Sequence, residues 1–172
     1  MPDKETMPYR PCVGIMVLNR AGLVWMGHRP LRERDEFSTT GEDRRWQMPQ
    51  GGIDEGEDAH VAARRELWEE TGIRSVEPLA RTPGWLRYDL PDELIGTALK
   101  GRFRGQKQLW FAYRFTGTDE EINIAHPPDG APVEFDRWQW VPIGEVAERI
   151  VPFKRAIYDE VVETFRPFAV PA

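Results

Sequence analysis

The segment from Gly51 to Ile73 constrains the fold of this chain more than any other part of the sequence. Two glycines open it, and the stretch from Asp58 to Thr71 contains neither glycine nor proline. Its alanines and leucine favour a helix, and Gly72 stands where a helix commonly ends in a left-handed glycine. The sequence therefore predicts a glycine turn that leads into a helix over 58–71.

The predicted helix gathers three carboxylates on one face. At about 100° per residue, Glu66, Glu69 and Glu70 fall within an arc of about 100°. Like charges at this spacing repel one another, and divalent Mg²⁺ or Mn²⁺ would compensate them because these ions prefer hard oxygen ligands. The alternative is a solvated acidic face, in which Arg65 and Glu69 form an ordinary ion pair one turn apart.

Strands and helices alternate along the rest of the chain. Apolar runs and turn residues predict strands over 11–18, 23–28, 76–81, 85–90, 109–116 and 138–141, and over 46–52 a short strand that runs into a glycine turn. Residues 29–45, with five Arg, three Glu and two Asp, predict a long, exposed, mobile loop. From about Gly144 to Phe168 we expect two helices broken at Pro152. This order indicates an α/β or α+β class with a mixed sheet.

Length and composition limit the function. The 172 residues fit one domain, and no apolar run is long enough for a membrane-spanning helix. One cysteine, Cys12, lies in an apolar strand, so we expect an inert core thiol and a reducing cytoplasm. The opening residues lack the pattern of a secretion signal.

The net charge of −6 argues against a general nucleic-acid coat protein. Seven of the acids, however, lie between residues 54 and 70, and without them the chain has 22 acidic and 23 basic residues. A basic stretch contains Lys100, Arg102, Arg104 and Lys107 with no acid between them. It fits a guide for an RNA backbone or a polyphosphate, and it equally fits a solvated loop.

The spacing within the glycine-to-isoleucine segment matches a known signature. Gly51 is followed after five residues by Glu57, after seven more by Arg65-Glu66-Leu67, then by Glu69-Glu70 and Gly72-Ile73. In these positions the chain resembles the Nudix hydrolases. Other motifs narrow the resemblance to the RNA pyrophosphohydrolases and dinucleoside polyphosphate hydrolases: 9–14, 46–52, 85–88, 105–108, 121–123, 134–138 and 153–155. The charged loop around 30–45 is longer than is usual in the bacterial members.

The resemblance implies a Nudix fold of the α/β class, with a mixed β-sheet sandwiched between α-helices. It covers residues 9–168 as one domain, which leaves 1–8 as a flexible lead and 169–172 as a tail. The family hydrolyses a nucleoside diphosphate linked to another group by water attack at phosphorus. It uses two or more divalent ions, Mg²⁺ or Mn²⁺.

The resemblance also implies roles for individual residues. Glu66, Glu69 and Glu70 would bind metal together with the carbonyl of Gly51, while Gly52 allows the backbone to approach closely. Arg65 would orient Glu57 and the metal-binding carboxylates through bidentate hydrogen bonds. Glu134 matches a loop glutamate that serves as base or extra ligand, and Glu121 is the competing candidate. The general base could be any of three residues: Glu66, Glu70 or Glu134.

Four further residues match substrate contacts in the subgroup. Arg10, Arg29 and Lys154 would hold phosphates, and Tyr88 would stack on a base. The expected partner is 5′-triphosphorylated RNA, and the alternative is a dinucleoside polyphosphate; no membrane and no DNA are expected. A third hypothesis is a regulator that binds nucleotides without hydrolysis, which the complete set of signature glutamates disfavours.

Overall fold

The computed structural model describes residues 3–32 and 40–172. Within these ranges the chain forms two α-helices and a sheet of eight strands. The strands are β1 (Tyr9–Leu18), β2 (Val24–His28), β3 (Trp46–Gln47), β4 (Gln50–Gly52), β5 (Val76–Arg81), β6 (Leu86–Asp89), β7 (Gly105–Phe115) and β8 (Arg137–Val141). The helices are α1 (Ala59–Thr71) and α2 (Arg155–Phe165).

The sheet is mixed, and β1 lies at its centre. β1 pairs in parallel with β7 from Tyr9↔Gly105 to Leu18↔Arg114. It pairs antiparallel with β2 and β4, while β5 and β6 pair antiparallel with β7, and β3 and β8 with β2. The long parallel pair brings Arg10 beside Gln106, and the pairing with β4 places Gly51 opposite Val13.

The two helices cover opposite faces of the sheet. Along β1, Val13, Ile15 and Val17 belong to the core cluster that contains Leu67 of α1. Met16 and Leu18 belong instead to the cluster that contains α2. Because successive side chains of a strand point to opposite faces, the buried part of a strand between two helices is apolar on both faces. The expected α/β fold, with a mixed sheet between helices, is confirmed.

Local signals set both ends of α1. The side chain of Asp58 accepts hydrogen bonds from the backbone N–H groups of His60 and Val61, which satisfies donors that the first turn leaves open. Gly72 ends the helix with φ of 77°, and its N–H donates to the carbonyl of Trp68. The predicted helix over 58–71 is therefore confirmed within one residue of each end.

The C-terminal region differs from the prediction of two helices. Only α2 is an α-helix, and the segments 143–145, 147–149 and 152–154 are single 3-10 turns. Val151, which precedes Pro152, has ψ of 136°, the extended conformation that proline imposes on the residue before it. The interval between Pro142 and Pro152 forms separate 3-10 turns, so the expected first helix is wrong.

Strand β7 begins four residues earlier than predicted. Its first part contains glutamines, so a prediction based on apolar runs does not include it. In the structure these side chains are buried but bonded to each other, since Gln108 donates to Gln106 at 2.7 Å and Trp110 Nε1 donates to Gln108 at 2.8 Å. The paired glutamines satisfy the requirement that buried polar groups have partners.

Both terminal segments contact the domain. Lys4 Nζ donates to the carbonyl of Leu90 at 3.2 Å, so the described part of the lead contacts the domain. Arg114 donates to the carbonyl of Phe168 at 2.8 Å, and the N–H of Ala172 donates to Arg20. The central part of the expected mobile loop, residues 33–39, lies outside the described residues, and Glu42–Arg44 near its end forms a single 3-10 turn. No helix among the described residues has the length and apolar character needed to cross a membrane.

Candidate active site

The glycine turn and helix α1 build the centre of the site. Gly51 lies in β4 directly under α1, and a Cβ at this position would collide with the carboxylate of Glu66. A Cβ at the neighbouring Gly52 would lie 2.5 Å from Arg10 Nη2. Only glycine therefore lets a helix carboxylate and a strand guanidinium approach the same two peptide units.

Arg65 fastens the carboxylates to this turn. Its Nε and Nη2 donate to both oxygens of Glu57 at 2.8 and 2.9 Å, and Nη2 also donates to the carbonyl of Gly52 at 3.0 Å. Nη1 donates to Glu66 at 2.9 Å and to Glu69 at 3.2 Å. The bidentate contact expected between Arg65 and Glu57 is present, and this contact lowers the pKa of Glu57. A planar guanidinium has a fork of N–H donors on three nitrogens and makes all these contacts at once. A lysine ammonium has a single nitrogen and lacks this fork.

The carboxylates of Glu66 and Glu70 are desolvated. Burial, opposed by Arg65, raises the pKa of Glu66 to about 7. Burial and then the nearby carboxylates of Glu134 and Glu66 raise the pKa of Glu70 well above its ordinary value. Oε2 of Glu70 is buried without a hydrogen-bond partner among the described residues. Such a carboxylate oxygen is costly unless a cation or a proton compensates it.

This donor set fits a hard divalent cation. Within 3–32 and 40–172, no three acidic, histidine or cysteine side chains are already arranged around one ion position. Arg65 holds Glu66 and Glu69, so their carboxylates would have to turn toward an ion. The buried, unpartnered oxygen of Glu70 and the oxygen-only chemistry of its neighbours match what Mg²⁺ and Mn²⁺ prefer.

Glu134 reaches the same region from the segment before β8. Its carboxylate lies 3.4 Å from Arg29 Nε and is close enough to Glu70 to raise the pKa of that residue. The adjacent Phe135 is buried and meets Trp25 edge-on, with ring centroids 5.4 Å apart. Phe135 therefore anchors the segment in the core, and two of the predicted site residues, Glu134 and Arg29, lie side by side.

Sequence reasoning missed His28, which ties this segment to the rest of the protein. His28 is buried, with Nδ1 2.7 Å from the carboxylate of Asp136 and Nε2 3.1 Å from the carbonyl of Glu42. The N–H of Asp136 also donates to the carbonyl of His28 at 3.0 Å. These contacts hold the loop around Glu134 against the end of β2. The only sequence signal was a histidine at a strand end, which by itself does not predict a partner more than a hundred residues away.

Glu121, the competing candidate for a catalytic carboxylate, is bonded to the segment that follows α1. One oxygen accepts from the backbone N–H groups of Arg74 and Ser75, each at 2.9 Å, and the other accepts from Ser75 Oγ at 2.6 Å. Burial raises the pKa of Glu121, but these hydrogen bonds outweigh it and the net shift is downward. Glu121 thus binds the chain that follows α1.

We expect Glu121→Gln to destabilise the protein by about 1–2 kcal/mol at neutral pH, because a carboxylate accepts these hydrogen bonds more strongly than an amide. Because its pKa is depressed in the folded state, this stabilisation is present above the ordinary carboxyl pKa. It is lost as the pH falls through the lower folded value. Urea unfolding at pH 7 and at pH 3 would measure the difference, with the exposed neighbour variant Glu120→Gln as control. A deficit that stays equal at both pH values would contradict this role.

The substrate-side candidates lie in two places. Arg10 is close to the carboxylate cluster, since it faces Gly52 and its charge acts on Glu66. Tyr88 and Lys154 are buried, 7% and 4% exposed, and the Tyr88 ring lies 5.8 Å from that of Phe153. Lys154 Nζ lies 5.5 Å from the Tyr88 ring. Because Tyr88 is buried, little of its ring is exposed for stacking on a base in this conformation.

Comparison with known proteins identifies the family. The NUDIX domain matches residues 8–161. The chain is 57% identical over 167 residues to the RNA pyrophosphohydrolase of Mesorhizobium japonicum, covering 97% of this chain and 95% of the relative. It is 59% identical over 161 residues to that of Rhizobium meliloti, covering 94% and 95%.

Solved structures share the fold at low identity. A C. elegans Ap4A hydrolase complex has a TM-score of 0.63 and 16% identity, covering 92% of this chain and 96% of that one. An E. coli dihydroneopterin triphosphate pyrophosphohydrolase has a TM-score of 0.63 and 18% identity, covering 91% and 99%. With the signature glutamates gathered over a glycine turn and a domain match along most of its length, the chain belongs to the NUDIX family of hydrolases.

Proposed function

We propose that this protein removes pyrophosphate from the 5′-triphosphate end of RNA, using two or more Mg²⁺ or Mn²⁺ ions. The observation that carries the proposal is the meeting of Glu66, Glu70 and Glu134 beside the Gly51 turn. The high identity to relatives named RNA pyrophosphohydrolases supports RNA as the substrate. Its single cysteine is buried and cannot form a disulfide within the chain, which is consistent with a reducing cytoplasm.

The residues of the site have different proposed roles. Glu66, Glu69, Glu70 and the carbonyl of Gly51 would hold the ions, with Glu134 as a further ligand or as the proton acceptor. When bound, divalent ions neutralise phosphate oxygens and lower the pKa of water. Arg65 keeps the carboxylates in register through its contacts with Glu57 and Gly52.

Cationic side chains would position the triphosphate. Arg10 lies at the turn itself, and Arg29 lies beside Glu134. A water molecule attacks phosphorus and the phosphoric anhydride bond breaks. Pyrophosphate is released, and the RNA keeps a 5′-monophosphate. Lys154 and Tyr88 form a second group, buried beside Phe153, which we propose contacts the nucleotide.

The decisive test compares two substrates at equal enzyme and Mg²⁺ concentrations. We expect kcat/KM to be higher for a short 5′-triphosphorylated RNA than for diadenosine tetraphosphate, with pyrophosphate as the product from RNA. A higher value for diadenosine tetraphosphate would favour the dinucleoside polyphosphate hydrolase hypothesis. Binding of either compound without turnover, in Mg²⁺ and in Mn²⁺, would favour a regulator.

A further inference from the structure

We propose that a cationic pocket beside the active site binds the RNA chain downstream of the 5′ end. This inference rests on the proposed function, because it takes RNA as the substrate. The pocket has a volume of about 170 Å³ and is lined by Arg10, Leu99, Lys100, Arg102 and Phe103. Complete small-molecule sites measure roughly 300–1,000 Å³, so this pocket fits one part of a longer ligand.

The pocket adjoins the catalytic carboxylates. Arg10 forms one wall, and its guanidinium lies against Gly52 while its charge acts on Glu66. The other walls come from the segment that leads into β7. A chain held at its 5′ end near Gly51 and Glu66 therefore passes Arg10 before it reaches Lys100 and Arg102.

The structure separates the basic stretch into paired and available charges. Arg104 donates to Asp89 at 3.1 Å, and Lys107 Nζ lies 4.6 Å from the centre of the Trp85 ring. Lys100 and Arg102 are exposed and form no ion pair with any described residue. Two of the four cations thus have structural contacts, and the two that line the pocket remain available for phosphates.

The backbone at this pocket is in an unusual conformation. Leu99 and Lys100 have φ of 52° and 60°, in the left-handed region that residues other than glycine rarely adopt. Such conformations cost free energy and cluster at ligand-binding positions. Here the left-handed pair turns the chain so that Lys100, Arg102 and the ring of Phe103 share one cavity. Cations together with an aromatic ring are the combination that binds single-stranded nucleic acid.

The test measures binding of a fluorescent ten-nucleotide RNA with a 5′-hydroxyl, which offers no pyrophosphate to release. We expect Lys100→Asn with Arg102→Gln to weaken binding on the order of tenfold at low salt. Loss of two phosphate contacts would also reduce the slope of log affinity against log salt by about 1.4. Asparagine is used at position 100 because it tolerates the left-handed conformation.

The matched control is Arg20→Gln with Arg81→Gln, which removes two exposed charges elsewhere on the protein. Thermal unfolding would verify that both double variants are folded. Equal weakening in the two double variants would overturn the proposal, because it would show an effect of net charge alone. Unchanged RNA binding with loss of binding to a polyglutamate peptide would assign the pocket to an acidic protein partner and would also overturn it.

The same proteins separate this inference from the proposed function. If the unmodified protein released no pyrophosphate from triphosphorylated RNA, the proposed function would fail. Selective loss of RNA binding in the pocket variant would still support the pocket. If the unmodified protein released pyrophosphate and both double variants bound RNA equally well, the function would stand and the pocket proposal would be overturned.

Discussion

Replacing Glu70 with glutamine is expected to lower kcat by at least about two orders of magnitude, since loss of even an outer partner of a metal ligand costs roughly 10–100-fold. The side chain keeps its size, but one of its oxygens becomes an amide nitrogen that repels a cation. Glu70 is the residue whose Oε2 is buried without a hydrogen-bond partner among the described side chains, so it has the most to gain from an ion.

The fold is expected to survive this change. Glu70 is close enough to Glu66 and Glu134 for their charges to disfavour its ionised form. Glutamine removes that repulsion, so the unfolding midpoint without added metal should not fall. Activity in Mg²⁺, calorimetric titration with Mn²⁺ and thermal unfolding would be measured on the same preparations. The control is Glu160→Gln, which alters an exposed carboxylate on α2.

Near-normal turnover of Glu70→Gln in Mg²⁺ would show that this carboxylate is not a ligand. Weak activity combined with unchanged Mn²⁺ affinity would instead place Glu70 in proton transfer. The three candidate bases, Glu66, Glu70 and Glu134, would then be reduced to the residue whose variant changes turnover without changing metal affinity.

Arg65→Lys is expected to lower kcat/KM roughly 10–100-fold, as loss of an outer partner of a metal ligand does. The substitution keeps the positive charge but removes the fork that holds Glu57 at two points and the carbonyl of Gly52 at a third. Glu66 and Glu69 would lose a fixed donor, and their orientation toward an ion would become less defined.

Stability should fall as well, by about 1–3 kcal/mol, because Glu57 and the Gly52 carbonyl lose charged hydrogen bonds. The partial exposure of Arg65 keeps this figure low, since solvent screens the ion pairs. The neighbouring Arg64→Lys is the control, because Arg64 is exposed on the same helix. Equal activity of the two variants would mean that charge alone, and not the planar fork, is what the site requires.

The site was predictable where its residues are close in sequence. Helix periodicity placed Glu66, Glu69 and Glu70 on one face, and the family resemblance implied the contact of Arg65 with Glu57. The end of the helix at Gly72 follows from local chemistry alone. The misses share a different cause. The partnership of His28 with Asp136, and the attachment of Glu121 to Ser75, join residues far apart in the chain.

The basic stretch also contains features that the sequence does not distinguish but the structure does. Its four cations look equivalent in sequence, yet Asp89 pairs with Arg104 and Trp85 contacts Lys107, while Lys100 and Arg102 line a pocket with Arg10. The glutamines at the start of β7 likewise suit a buried strand only because they hydrogen-bond to each other. The cations depend on partners from a distant segment, whereas the glutamines bond to each other along β7 and to Gln50 of β4.

The sequence by itself determined the helix with its carboxylate face, the glycine turn before it, and the family to which they belong. These features depend on helix geometry and on backbone conformations that nearest neighbours in the chain decide. Only the tertiary structure decided which charges are free, which carboxylate is buried, and which distant loop brings Glu134 to Glu70. Burial and pairing depend on the packing of the β1–β7 centre between its two helices, and no local pattern encodes them.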